Sequence, residues 1–287
     1  MIAIYKKELR TSFTGMAAYV FIAFVLVFAG IYTMLYNLSN GYPNFEYVLQ
    51  SMSIIFLIAI PILTMRSIAE ERRQHTDQLL YALPLGMTRI VLGKYLAILT
   101  VVAVPCVIMG FYPLLLSQYG QVSFATAFGA LIGFFLLSAA LAAIGLLISA
   151  LTENQAVAAG LCFVVMMLLY FMNNLTSFVS DTAAASLAAL MIVVLVIAAL
   201  VLLFTKSTPL AGLVAVIGCG GLLGCFAVAS DRFEGLFDKI MESLSVFERF
   251  YTFIDGVFDL TGVLYFLSII AVALFLTVQT MEKRRWS

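Results

Sequence analysis

The side chains able to do acid–base, metal or ionic chemistry are few, and they are gathered rather than scattered. Fifteen Lys/Arg, fifteen Asp/Glu and one histidine serve 287 residues. The densest block runs from Arg66 to Arg89 and reads RSIAEERRQHTDQLLYALPLGMTR. Residues Glu70, Glu71, Arg72, Arg73, His75, Thr76 and Asp77 are expected on a charged helical stretch that continues to Gln78. Ile68, Leu79, Leu80 and Leu83 give it an apolar side, and Pro84 and Gly86 end it. Mixed charge on a short helix suits registration against a protein partner. Residues 67–88 therefore read as a docking element; a solvated hairpin that merely links two helices is the competing reading.

Catalysis has little to work with. A metal-dependent membrane enzyme needs His and acidic ligands together, and His75 is the single histidine. Cys106, Cys162, Cys219 and Cys225 sit in apolar runs without CxxC spacing, so they read as small buried hydrophobes. The nearest string to a P-loop starts at Gly86 and ends Gly93-Lys94-Tyr95. Six residues separate its glycines, and Tyr stands where Ser or Thr is required. The string is rejected as a nucleotide site, and Lys94 is expected to snorkel to lipid headgroups. No catalytic, cofactor-binding or metal-ligating residue is expected in the chain.

Two further polar elements lie nearer the ends. Ile2, Tyr5, Leu9 and Phe13 follow helical spacing, with Lys6, Lys7 and Arg10 to the other side. Residues 1–15 read as an interfacial elbow helix, with Tyr5, Lys6, Lys7 and Arg10 at the headgroups; a plain positive anchor is the alternative. Residues 231–250 read as an external amphipathic helix. Phe233, Phe237, Ile240, Met241 and Leu244 form its apolar face, and Asp231, Glu234, Asp238, Glu242 and Glu248 lie largely opposite. It would cap an outward gate, meet an extracytoplasmic partner, or rest passively on the surface.

The elements that must position these groups are hydrophobic. The chain is 64% hydrophobic and 10% charged, with mean hydropathy +1.12, against about 25% charged in soluble domains. Soluble enzymes, DNA-binding proteins and secreted disulfide scaffolds are excluded. Unalternated apolar runs long enough to cross about 30 Å of hydrocarbon argue for helices over a barrel. The expected architecture is all-α, one polytopic helix bundle over residues 1–287. It has about eight segments: 16–37, 48–66, 90–117, 123–151, 155–173, 183–205, 209–230 and 259–281. Six spans plus a re-entrant hairpin over 183–230 is the alternative; that would set Lys206 deep in the bilayer at a cost of a few kcal/mol or more.

Basic residues favour the cytoplasmic face. With the N-terminus inside, twelve Lys/Arg fall inside and only Arg232, Lys239 and Arg249 outside. Both termini are thus expected in the cytoplasm, and the first apolar run is read as a retained span rather than a cleaved signal. The spans hold almost no ionisable side chain, which argues against proton- or ion-coupled carriage. Any energy for movement is expected from another chain. Gly129/Gly133, Ser138/Ala142, Gly145/Ser149 and Gly220/Gly224 place small residues on helix faces, where backbones can approach closely. Pro61, Pro105 and Pro113 are candidate kinks.

Three strings carry a family resemblance: IYKKELRTSFTGMAAY near the start, RSIAEERRQHTDQLLYALPLGMTRIVLGKYLA in the loop, and DGVFDLTGVLYFLSIIAVALFLTVQTMEKRRW at the end. Together they cover about a third of the chain. It resembles the type-2 ABC export permeases, and the last string is similar to their gliding-motility and nitrous-oxide-reductase-maturation branch. The resemblance implies a non-catalytic permease subunit in the plasma membrane that pairs with a second permease chain, as homo- or heterodimer. A separate cytoplasmic ABC ATPase, holding ATP and Mg, would dock at Glu70, Glu71, Arg72, Arg73, Thr76 and Asp77. Its hydrolysis would drive substrate export or work on an accessory extracytoplasmic subunit. A non-transport mechanotransmission or scaffold subunit is the alternative, ahead of a secondary carrier. Six spans are usual in the family, and Asp255 stands where a basic residue is expected before Gly256.

Overall fold

A computed structural model describes residues 1–74, 76, 86–176, 182–205, 208–228 and 233–286. Among these residues the secondary structure is helical, without strands. Helix α1 (Ile2–Thr14) leads into α2 (Ala17–Thr33), which runs on through a π-helical turn, Met34–Leu38. Next come α3 (Glu46–Met52) and α4 (Phe56–Thr64), joined by a 3-10 turn, then the short α5 (Ala69–Arg73). Helices α6 (Met87–Met109), α7 (Tyr112–Leu116), α8 (Phe124–Leu151) and α9 (Gln155–Thr176) follow. The remainder are α10 (Ala183–Thr205), α11 (Thr208–Val228), α12 (Leu236–Leu244), α13 (Val246–Ile254) and α14 (Leu260–Trp286).

Among the described residues six helical stretches are long and apolar enough to cross a membrane: Ala17–Leu38, Glu46–Arg73, Met87–Leu116, Phe124–Leu151, Gln155–Met172 and Leu260–Arg284. They match the first five and the last of the eight expected segments. The sixth and seventh segments are the helices α10 and α11, whose described apolar stretches, Ala183–Leu195 and Ala215–Phe226, are shorter. Lys206 lies outside the described residues.

The chain divides into two units. The first joins Met1–Tyr170 to Val246–Ser287, and α8 is its most buried span. Small side chains explain that position. A Cβ on Gly145 would run into Thr64 of α4, and one on Gly133 would lie 2.8 Å from the Phe253 ring of α13. Ser138, Ala142 and Ser149 on the same helix are fully buried. Gly129, expected to share this role, has open space around its Cβ position, as do Gly220 and Gly224 on α11. Pro61 and Pro105 lie inside α4 and α6, whereas Pro113 starts α7.

Contacts at each end of this unit show the spans running up and down. At one end, Pro43 between the first two spans touches Gly120 between the next two. There too the Tyr170 and Phe247 rings meet at 5.0 Å, and Asp259 accepts from the Thr261 N–H at the start of α14. That N–H, with the Thr261 hydroxyl next, holds the Asp259 carboxyl below its ordinary pKa. The opposite end carries α1, α5, the start of α6 and the last turn of α14.

The second unit, Phe171–Ser245, pairs α10 with α11. Phe233, Phe237 and Met241 are buried there with Leu190. The expected single helix over 231–250 is divided. Ser245 takes an extended conformation between α12 and α13, and α13 belongs to the first unit, with Phe247, Phe250 and Phe253 buried in its core. Ile240 is half-buried and Leu244 is 48% exposed, so the expected apolar face is only partly used. Asp231 and Arg232 lie outside the described residues.

Candidate functional site

Three elements of separate sequence origin meet on one lysine. Helix α1 lies against α6 because Gly93 leaves room for it. A Cβ there would sit 3.1 Å from Ile4 Cγ2 and 3.3 Å from the Met1 carbonyl. The Tyr5 hydroxyl pairs with Thr100 Oγ1 at 3.0 Å, two turns beyond Gly93 on the same face of α6. This seating brings Glu8, one turn beyond Ile4, to the residue after Gly93, which is Lys94.

The Lys94 side chain is 0% exposed. Its Nζ donates to Glu8 Oε1 at 2.9 Å and to the Ser67 carbonyl at 2.8 Å, and it pairs with Glu71 Oε2 at 2.8 Å. An ammonium has three N–H donors, and here each has an acceptor. The other Glu71 oxygen lies 3.3 Å from Lys7 Nζ at the rim, where Lys7 is 58% exposed. Two cations and two carboxylates thus balance in a cluster, buried at Lys94 and open at Lys7, that ties α1, α5 and α6 together. The snorkelling expected of Lys94 is corrected: carboxylates from two other elements reach it, so its charge is neutralised inside the protein rather than at headgroups. Gly93 and Lys94 are helical, packed and paired, an arrangement without the open loop that cradles phosphates.

A second tie fixes the start of α5. Ser149 Oγ, near the end of α8, accepts from the Ile68 and Ala69 N–H groups at 3.2 and 3.1 Å and donates to the Met65 carbonyl at 3.4 Å. A hydroxyl from another helix here satisfies orphan N–H groups that a local cap usually serves. Nearby, Arg284 pairs with Glu153 at 2.9 Å and donates to the Leu151 carbonyl at 3.2 Å. Both partners are exposed, so that bridge adds little stability.

The expected docking residues separate accordingly. Glu71 faces inward to Lys94, and Arg72 is 4% exposed. Glu70 is half-buried and takes a 3.4 Å bond from the Gln74 amide. Arg73 is exposed, and with Arg72, Glu153 and Asn154 it lines a depression of about 410 Å³. The Thr76 N–H closes back onto the Glu71 carbonyl at 2.9 Å. The described helix is short, ending at Arg73; His75, Asp77, Gln78, Leu79, Leu80, Leu83 and Pro84 lie outside the described residues. Of the elbow residues, Tyr5 points into the bundle while Lys6 and Arg10 are exposed. Ile2, expected on the apolar face, is exposed, and Ile4 is buried instead.

Glu8 and Ser67 escape sequence reasoning, and Ser149, expected only as a small packing residue, proves to cap α5 as well. The available signal is a lone lysine at a span start, one acid on the first helix and the pair Glu70 and Glu71 in the loop, and spacing alone does not pair them. Among the described residues no three His, Cys, Asp or Glu side chains converge as metal ligands. A family model described as ABC-2 family transporter protein matches residues 24–187. No curated protein matches the chain.

Proposed function

The chain belongs to the ABC-2 family of transporter proteins, and on that premise we propose that it couples ATP hydrolysis by a separate cytoplasmic ATPase to movement of its own spans. It is a multi-pass membrane protein of permease type. Two permease chains pair in the plasma membrane with their termini in the cytoplasm, and each docks an ATPase subunit at the loop after the second span. The similarity of residues 255–286 supports the gliding-motility and nitrous-oxide-reductase-maturation branch. The work done is substrate export or action on an extracytoplasmic subunit.

The Lys94 cluster is the observation that carries this reading. A push on α5 is not absorbed by a loose loop. It passes through Glu71 to Lys94 at the base of the third span, through Glu8 to the elbow helix, and through Ser149 to the fourth span. Coupling of this sort needs a contiguous physical link between the driven element and the spans. Arg73, exposed beside that link, meets the acidic side of the partner.

The test is co-expression with an ATPase subunit from a neighbouring gene. Arg73→Glu should weaken co-purification about tenfold, the scale of a reversed contact charge, while membrane insertion is unchanged. Full co-purification and unchanged ATP hydrolysis in that variant would overturn docking at this surface.

A further inference from the structure

At the turn from α1 to α2 lies a cavity of about 180 Å³ lined by both polar and apolar side chains. Ser12, Arg66 and Glu70 are among the polar ones, and Leu63, Ile98 and Val101 among the apolar. Met16 in the turn above holds φ at 60°, a left-handed conformation that side chains rarely adopt. Strain of this sort persists where surrounding structure enforces it, often around binding sites.

The charges around the cavity decide what fits. Lys7 and Lys94 are balanced by Glu8 and Glu71, and every N–H of Lys94 is used. Two charges remain over. Arg66 is exposed and has no ion pair among the described residues. Among the described residues, the Glu70 carboxylate has only the long amide bond from Gln74. The site therefore offers one spare cation and one spare anion beside apolar side chains, at the end of a membrane span. A ligand complementary to all three features carries a phosphate, a hydrogen-bonding ammonium and an acyl chain.

We propose that this cavity binds phosphatidylethanolamine from the adjacent leaflet. The guanidinium of Arg66 takes the phosphate oxygens, a geometry in which Arg excels. The primary ammonium donates to the Glu70 carboxylate, and an acyl chain leaves along Leu63, Ile98 and Val101. Phosphatidylcholine fits less well because choline has no N–H to donate. Phosphatidylglycerol brings no cation for Glu70. The site shares Glu8 and Lys94 with the wall of the ionic cluster, but its occupancy does not depend on any ATPase.

The full chain, purified in detergent and stripped of lipid, is titrated with phosphatidylethanolamine, phosphatidylcholine or phosphatidylglycerol and read by native mass spectrometry. One phosphatidylethanolamine should be held with about tenfold preference over the other two, the worth of one good charge-assisted bond. Arg66→Ala should abolish retention, and Glu70→Gln should reduce the preference to the phosphatidylcholine level. Val101→Trp fills the apolar part of the cavity without touching a charge and should also expel the lipid. Lys239→Ala, in the other unit, should change nothing. Equal retention of phosphatidylglycerol, preference that survives Glu70→Gln, or no saturable lipid would each overturn the assignment; circular dichroism of each variant separates lost binding from lost fold.

Discussion

Lys94 shows how a single side chain can be both costly and necessary. Removing an ammonium from water costs several kcal/mol, and its salt links return that only when geometry and hydrogen bonding are complete. Here they are complete, with three acceptors within 2.9 Å. The net gain is therefore modest, but removing the buried cation leaves Glu8 and Glu71, each only 16% exposed, with Lys7 at the rim as their remaining partner. Lys94→Met should destabilise the protein by about 3–5 kcal/mol, read as a lowered unfolding midpoint in detergent. Adding Glu8→Gln and Glu71→Gln to it should restore most of that loss, because the one charge then left, on Lys7, is 58% exposed and solvated. A midpoint unmoved by Lys94→Met would mean the cluster is not buried in solution. The sequence placed Lys94 at a span start correctly. Its partners come from 86 residues before it and 23 before it, so their meeting is a fact of tertiary packing.

The helix α8 carries the same lesson at the scale of an element. Its stripe of glycine, alanine and serine was legible as a close-packing face, because small residues let helices approach without a hydrophobic drive. Which members do the packing was not legible, since all have the same composition and spacing. Gly133→Val and Gly145→Val should each cost about 1–3 kcal/mol by overpacking against Phe253 and Thr64. Gly129→Ala, with nothing near its Cβ position, should be neutral or stabilise by up to about 1 kcal/mol through helix propensity. Thermal unfolding of the three variants side by side checks the ordering, and equal losses would refute it. The segment 231–250 was misread for a related reason. Its helical periodicity continues through Ser245, a residue that helices tolerate. The break appears because α12 and α13 bury their faces in different units.

At the scale of the whole molecule, the ends of the spans settle a parity. Elements α1, α5 and the end of α14 all sit at the Lys94 end of the first unit, linked by Lys94, Ser149 and Arg284. The chain leaves that unit after Tyr170 and returns at Val246, and those two points adjoin through the Tyr170–Phe247 ring contact at the opposite end. The intervening segment must therefore cross an even number of times or not at all, and the two chain ends of the first unit share one face. Eight crossings and six plus a hairpin both satisfy this. Cysteine labelling of intact and opened vesicles distinguishes them. We expect Lys6→Cys and Lys206→Cys to react only from the cytoplasmic side and Lys239→Cys only from the outside. Lys206→Cys protected from both sides would favour the hairpin.

Class, helical architecture and the main segments could all be read from the sequence, because the length of an apolar run and the sorting of charges are local properties that the bilayer imposes on any chain. The partner of each charge could not. Lys94 looked like a headgroup anchor until Glu8 and Glu71 were seen beside it, and Glu71 looked available to another protein until it was seen facing inward. Such pairings depend on which helix faces which, decided by the fit of surfaces such as Gly93 against Ile4 and Gly145 against Thr64. Only the tertiary structure could decide them.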